Sequence, residues 1–82
     1  MTDTFRELDT VVLLQDLPDA GLRAGDLGAI VHVHSPESFE VEFVTASGRT
    51  QAVVTLGRAV LRPVKDDDLL TVRPTASRQG AA

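Results

Sequence analysis

Short apolar runs, separated by turn residues at intervals of about ten, constrain the fold of this chain more than any other feature. Five such runs occur, at residues 10–15, 28–34, 39–44, 50–56 and 60–64. Gly, Pro, Asp and Ser fill the intervals, and these residues favour turns because they supply positive φ, fixed φ or local side-chain hydrogen bonds. The pattern predicts an all-β domain of five short antiparallel strands, with Pro63 placing the last one at an edge.

The third run, FEVEFV, alternates apolar and acidic residues, which is the period of a strand with one buried face. Pairing it with the second run brings the apolar faces together when Val33 lies opposite Phe39 and Val31 lies opposite Val41. A slip of one residue would bury both glutamates of the third run, so burial selects the first register. Since closing a sheet removes its unpaired edges, we expect the five strands to form a small barrel.

The chain of 82 residues is long enough for one small domain. A chain of this size buries only about 60% of its unfolded surface, so it needs a compact core. We expect a flexible N-terminal arm at residues 1–8, the barrel domain at residues 9–64, and an acidic, largely disordered tail at residues 65–82. The pattern leaves open whether residues 69–74 add a sixth strand.

The charge balance argues against nucleic acid as the partner. Eight Lys and Arg residues stand against 12 Asp and Glu, for a net charge of −4. Nucleic-acid binders usually present a basic face, because phosphate neutralisation supplies most of their affinity. An RNA-binding or ribosome-binding role stays open as an alternative, and it requires four arginines to gather on one side: Arg23, Arg49, Arg58 and Arg62.

Cysteine and long apolar segments are both absent from the sequence. Without cysteine there is no disulfide and no thiolate zinc site. No apolar stretch approaches the roughly 20 residues of a membrane-spanning helix. The opening MTDTFRELD has neither the basic start nor the apolar core of a secretory signal. We therefore expect a cytoplasmic protein that does not associate with a membrane.

Three glycines precede and open the second run, at Gly21, Gly25 and Gly28. A phosphate-binding loop would need a following Lys and a helix N-terminus to hold the anion. The β-branched residues after Gly28 make such a helix implausible. We interpret Gly25 and Asp26 as a tight turn and Gly28 as the bend that leads into the second strand.

Two histidines on the second run form the sharpest candidate for chemistry. His32 and His34 share one face of a strand, and the expected register places Glu40 opposite His32. Two imidazoles and a carboxylate are a ligand set for zinc with an open position. The competing interpretation is a solvent-facing pair of opposite charges across the two strands, which stabilises the sheet by only a few tenths of a kcal/mol. We favour the second interpretation and expect no cofactor.

Nucleophilic catalysis has little support in the sequence. Ser35 and Ser38 lie near His34 and Glu37, but on an exposed loop of a domain too small for a deep pocket. A catalytic triad needs a base and an orienting acid within hydrogen-bond reach. We expect a protein without enzymatic activity.

The segment after the first strand is the expected surface for a protein partner. Its acidic residues, together with the negative net charge, would steer a basic partner toward it. The predicted contact residues are Asp16, Leu17, Pro18, Asp19, Leu22 and Arg23. A structural interpretation stands beside this one, in which Leu17 and Leu22 cap the open end of the barrel.

Several blocks of the chain match a known pattern: DLP at 16–18, GDLG at 25–28, FEVEF at 39–43, VTL at 54–56 and LRP at 61–63. With these blocks the chain resembles a small bacterial family, domain of unknown function 4926. The resemblance implies an SH3-like barrel and a small accessory protein, with an antitoxin-like or immunity-like role beside a protein partner. The GDLG turn is also similar to the KOW-type element of RNA-associated proteins and to the SH3-like domain of the nitrile hydratase β subunit. A likeness in fold transfers no activity.

Overall fold

The computed structural model describes residues 4–75, which contain five strands and two single turns of 3₁₀ helix. The strands are β1 (Thr10–Leu13), β2 (Leu27–Ser35), β3 (Ser38–Val44), β4 (Thr50–Gly57) and β5 (Leu61–Pro63). The 3₁₀ turns cover Pro18–Ala20, in the β1–β2 loop, and Arg58–Val60, between β4 and β5. All five predicted strands are confirmed, and their ends differ from the sequence-based bounds by at most two residues.

The strands form one antiparallel sheet in the order β4-β3-β2-β1-β5. The all-β prediction is confirmed, but the sheet is open, because its two end strands β4 and β5 do not pair with each other. The expected closed barrel is therefore corrected to an open five-stranded sheet. The physical reason lies in β5, which has three residues and ends at Pro63. A proline has no N–H for a ladder, so this strand offers little backbone with which to close the sheet.

The register between β2 and β3 is confirmed at one end of the ladder and wrong at the other. Val33 pairs with Phe39 as predicted, but Val41 pairs with Ile30 instead of Val31. A β-bulge between the two pairs inserts one extra residue into β2 and reverses which side chains face the core. Ile30 is consequently fully buried, whereas Val31 is 39% exposed. A strict two-residue alternation cannot anticipate such an insertion.

The core lies on one face of the sheet and receives a residue from the N-terminal segment. Its buried members are Phe5, Val11, Leu13, Leu22, Ile30, Phe39, Val41, Phe43, Leu56 and Leu61. The Phe5 ring packs edge-on against Phe39 with 5.2 Å between centroids. The Arg58 guanidinium lies over both rings, at 5.0 and 5.6 Å from their centroids. The segment predicted as a flexible arm thus supplies one anchor of the core, and its residues 1–3 lie outside the described part.

The chain after β5 follows an irregular path without helix or strand through residue 75. Residues 69–74 therefore add no sixth strand to the sheet. Two ion pairs connect this path to the rest of the chain, Arg62 with Asp68 and Arg73 with Asp26. The remainder of the predicted tail, residues 76–82, lies outside the described residues.

The first of these ion pairs predicts a pH dependence. Arg62 donates two hydrogen bonds of 2.9 Å to the Asp68 carboxylate. These bonds, with one from the Lys65 N–H, lower the pKa of Asp68 to about 2. The folded-state pKa lies below the ordinary value of 3.8, so the Arg62–Asp68 ion pair stabilises the fold in full at about neutral pH. This stabilisation decreases below about pH 4 and disappears as the pH falls toward 2.

We expect an NMR titration of the Asp68 carboxyl carbon to have its midpoint near 2. In Arg62→Gln the midpoint should rise toward the ordinary range, since the charge and both hydrogen bonds are lost. Arg49→Gln, in the β3–β4 turn, is the matched control and should leave the midpoint unchanged. An unshifted midpoint in Arg62→Gln would show that the ion pair does not form in solution.

Candidate partner-binding surface

The β1–β2 loop, residues 14–26, is a folded structure with its own hydrogen bonds. Leu17 and Leu22 exchange two backbone hydrogen bonds, of 2.9 and 3.1 Å. The 3₁₀ turn Pro18–Ala20 forms the tip, where proline at the first position has the φ that such a turn requires. Gly21 ends the turn with a φ of 72°, a left-handed conformation that favours glycine. These hydrogen bonds and backbone preferences define the shape of the loop.

Two of the predicted contact residues have structural roles in this loop. Leu22 is buried in the core, which agrees with the structural interpretation considered for it. The Asp16 carboxylate accepts a 2.9 Å hydrogen bond from the N–H of Ala24, which links the outgoing and returning segments of the loop near its base. Pro18, Asp19 and Arg23 are exposed, and Leu17 is half-buried. These four residues and Asp16, which is also exposed, retain surface with which to meet a partner.

An apolar depression lies where the tip of the loop faces β4. It has a volume of about 310 Å³ and is lined by Leu17, Pro18, Asp19, Ala20, Val54 and Leu56. The Gln51 amide donates a 3.3 Å hydrogen bond to the carbonyl of Ala20, which ties the loop to β4 beside this depression. Sequence reasoning identified the loop side of the depression. It missed the β4 side, because Val54 and Leu56 carry the same signal as core residues.

β4 is the end strand of the sheet, and its outer edge, which pairs with no other strand among residues 4–75, borders the apolar depression. Arg58 N–H donates to the carbonyl of Glu37 at 3.1 Å, which continues the β3–β4 ladder by one pair. Bonded and non-bonded pairs alternate along an antiparallel ladder. Val53 and Thr55 lie an odd number of residues before the bonded Arg58, so they direct their backbone groups away from β3. The strand sequence, TQAVVTLG, contains no charge and no proline. Those are the features by which edge strands usually avoid pairing with other chains.

A second and larger groove lies at the base of the loop. We call it the Asp26 groove; it has a volume of about 620 Å³ and separates the loop base and the β3–β4 turn from residues 69–75. Arg73 donates hydrogen bonds of 2.9 and 2.6 Å to the two oxygens of Asp26, and another of 3.2 Å to the carbonyl of Gly21. Burial raises the pKa of Asp26, but the hydrogen bonds and charges of Arg73 and Arg23 outweigh it, and the net shift is downward.

The histidine candidates lie close together but face different carboxylates. The His32 and His34 rings pack edge-on, with 4.6 Å between centroids. His34 Nε2 is 3.4 Å from Glu40 Oε1, whereas His32 Nδ1 is 3.9 Å from Glu7 Oε2. Across residues 4–75, no three His, Asp or Glu side chains are placed so that they could hold a metal ion. The geometry is that of two exposed histidine–carboxylate pairs.

The four arginines considered for RNA binding differ in their surroundings. Arg58 packs on Phe5 and Phe39, and its side chain donates hydrogen bonds to the carbonyl of Pro36. Arg62 pairs with Asp68. Arg23 and Arg49 are exposed. Two of the four guanidinium groups are therefore engaged within the chain, which leaves less positive charge for a phosphate backbone.

Comparison with known proteins gives one match. A family model described as "Domain of unknown function (DUF4926)" matches residues 7–63, which include the whole sheet and the β1–β2 loop. No curated protein and no solved structure matches the chain. Within the described part of the chain, no helix has the length and apolar character needed to cross a membrane.

Proposed function

We propose that this chain, which belongs to the DUF4926 family, a domain of unknown function that spans residues 7–63, is a small non-enzymatic protein-interaction module. Its partner is a protein, bound through the tip of the β1–β2 loop and the adjacent edge of β4. An SH3-like architecture is part of the proposal. It is supported by the strand order and by the 3₁₀ turn that precedes β5.

The apolar depression is the observation that carries this proposal. Interfaces gain most of their binding energy from a few large side chains that enter pockets. A pocket of about 310 Å³ accommodates one such side chain, and Leu17, Val54 and Leu56 supply apolar walls. The exposed Asp19 on its rim, with the net charge of −4, favours a partner with basic residues around its apolar anchor.

The edge of β4 supplies a second, backbone-directed component. An extended segment of a partner can add to such an edge through main-chain hydrogen bonds while its side chains enter neighbouring pockets. Val53 and Thr55 offer outward backbone groups beside the apolar depression, so one extended segment reaches both features. A partner that combines a strand-forming segment with one large apolar residue fits this surface.

The experiment begins with affinity purification of a tagged chain expressed from its native locus, followed by mass spectrometry. We expect one stoichiometric protein that stays bound through nuclease treatment and moderate salt. Nucleic acid and ribosomal proteins that wash off as the salt rises would instead favour the RNA-binding alternative. An eluate without a stoichiometric protein would contradict the proposal.

Variants of the loop tip then locate the contact by calorimetry with the purified partner. Leu17→Ala should weaken binding about tenfold or more, which corresponds to roughly 1.4 kcal/mol. Asp19→Ala should mainly slow association with a basic partner and reduce its salt dependence, whereas Arg23→Ala removes a like charge and should speed association. Glu37→Ala in the β2–β3 turn is the exposed control. Unchanged affinity in all three loop variants, with the fold retained, would exclude the loop as the binding surface.

A further inference from the structure

We propose that Asp26 anchors an arginine-binding site that Arg73 occupies in the free chain and that an arginine-bearing extended segment of a protein partner takes over. The inference rests on the proposed function in one respect, since it assumes a protein partner. It specifies that this partner carries an arginine in an extended segment. It also assigns the tail segment, residues 69–75, as an internal occupant of the site.

The hydrogen bonds around Asp26 are those of guanidinium recognition. Arg73 Nε and Nη2 donate to separate oxygens of the carboxylate, and Nη2 also donates to the carbonyl of Gly21. A bidentate pair of this kind selects Arg over Lys, because an ammonium group cannot present two parallel donors. Asp16 adds a second negative charge that acts on the Arg73 guanidinium.

The acceptor half of this site is held in place by the β1–β2 loop itself. The N–H of Arg23 donates a 2.8 Å hydrogen bond to Asp26 Oδ2, which fixes the carboxylate across the turn. The carbonyl of Gly21 follows the 3₁₀ turn and is positioned by the same loop. Both acceptors therefore stay aligned when Arg73 leaves, and a different guanidinium meets the same geometry.

Arg73 donates three hydrogen bonds from the tail segment to the β1–β2 loop, and the apolar side chains of the segment add little to this attachment. The segment's three large apolar side chains point into solvent, with Leu69 89%, Leu70 67% and Val72 96% exposed. An attachment that buries so little apolar surface gains little from the hydrophobic effect, which scales with the area removed from water. Partly exposed ion pairs contribute modestly on their own. A competing segment needs only a few additional contacts to displace the tail segment.

The Asp26 groove provides room for those additional contacts. The tail segment leaves about 620 Å³ open against the sheet. Among the residues that line this space, Leu27 and Val44 are exposed and offer apolar surface. A partner segment with an apolar residue beside its arginine would fill space that the tail segment leaves empty, and it would therefore bind more tightly than the tail.

The test uses a fluorescent peptide with the sequence of residues 69–75, LLTVRPT, added to Arg73→Ala and to the wild-type chain. In the wild type the tethered Arg73 competes at an effective concentration of about a millimolar. We expect peptide affinity to be at least fivefold higher for Arg73→Ala. In NMR spectra of that variant, the amides of Gly21 and Asp26 should shift on titration. A peptide with Lys in place of its Arg should bind at least fivefold more weakly.

Asp26→Asn in the Arg73→Ala background should abolish the shifts, because an amide keeps the hydrogen bond from Arg23 but has no charge. If this variant does not fold, the comparison of the Arg and Lys peptides on Arg73→Ala alone decides the question. Equal affinity for wild type and Arg73→Ala, equal affinity for the two peptides, or no shift near Asp26 at millimolar peptide would each overturn the inference. The peptide is synthetic, so these results do not depend on whether the apolar depression captures a partner.

Discussion

Phe39→Ala is expected to lower the free energy of unfolding by about 3–5 kcal/mol, the range for truncating a buried aromatic residue. The Phe39 side chain is fully buried at the centre of the core. Its removal leaves a cavity and also takes away the edge-on partner of Phe5 and one of the two aromatic rings under Arg58. A domain of this size has a total stability of about 5–10 kcal/mol, so this variant should lose a large part of it.

Urea unfolding followed by circular dichroism measures this effect as a lower midpoint. Val44→Ala, on β3 but with an exposed side chain, is the matched control and should change stability by less than about 0.5 kcal/mol. A loss below about 1 kcal/mol for Phe39→Ala would contradict the full burial of Phe39 in the core, since truncating a buried aromatic side chain typically costs about 3–5 kcal/mol. Phe5→Ala should then show coupling to Phe39→Ala in a double-mutant cycle.

Gly28→Ala should destabilise the fold by about 1–3 kcal/mol, because the new methyl group overpacks the core. A Cβ at this position would lie 2.7 Å from Val41 Cγ1 and 2.8 Å from a ring carbon of Phe43. Both neighbours are buried, and the β-branched Val41 has little freedom to turn away. Thermal unfolding should therefore show a melting temperature lower by several degrees, on the order of 4–8 °C per kcal/mol.

Gly57→Ala is the matched control for Gly28→Ala. Gly57 has an extended backbone, with φ −83° and ψ 159°, and its Cβ would meet only the carbonyl of Glu37 at 3.7 Å. Alanine fits there without strain, so this change should be neutral or stabilising by about 0.4–1 kcal/mol through the unfolded state. Equal stabilities of the two variants would show that Gly28 is free of packing constraints, and would reopen a ligand-related role for the glycine motif.

The candidate site was only partly accessible to sequence reasoning. The loop tip could be predicted, because Pro18 and the surrounding acidic residues form a strong turn signal in a local stretch. The β4 wall of the apolar depression could not, since alternation does not distinguish a buried Val54 from one that borders a pocket. Leu22 was included as a contact and is a core residue, because the pairing of Leu17 with Leu22 turns it inward.

Secondary structure and the division into strands were determined by the sequence alone, because alternation and turn chemistry act between neighbours along the chain. Three features were decided only by the tertiary structure. The bulge in β2 depends on which of Ile30 and Val31 fits against β3. The open sheet depends on the reach of β5, and the attachment of the tail segment depends on Arg73 meeting Asp26 across 47 residues. All three depend on how side chains and strands pack against one another in space, and a pattern read along the chain does not specify that packing.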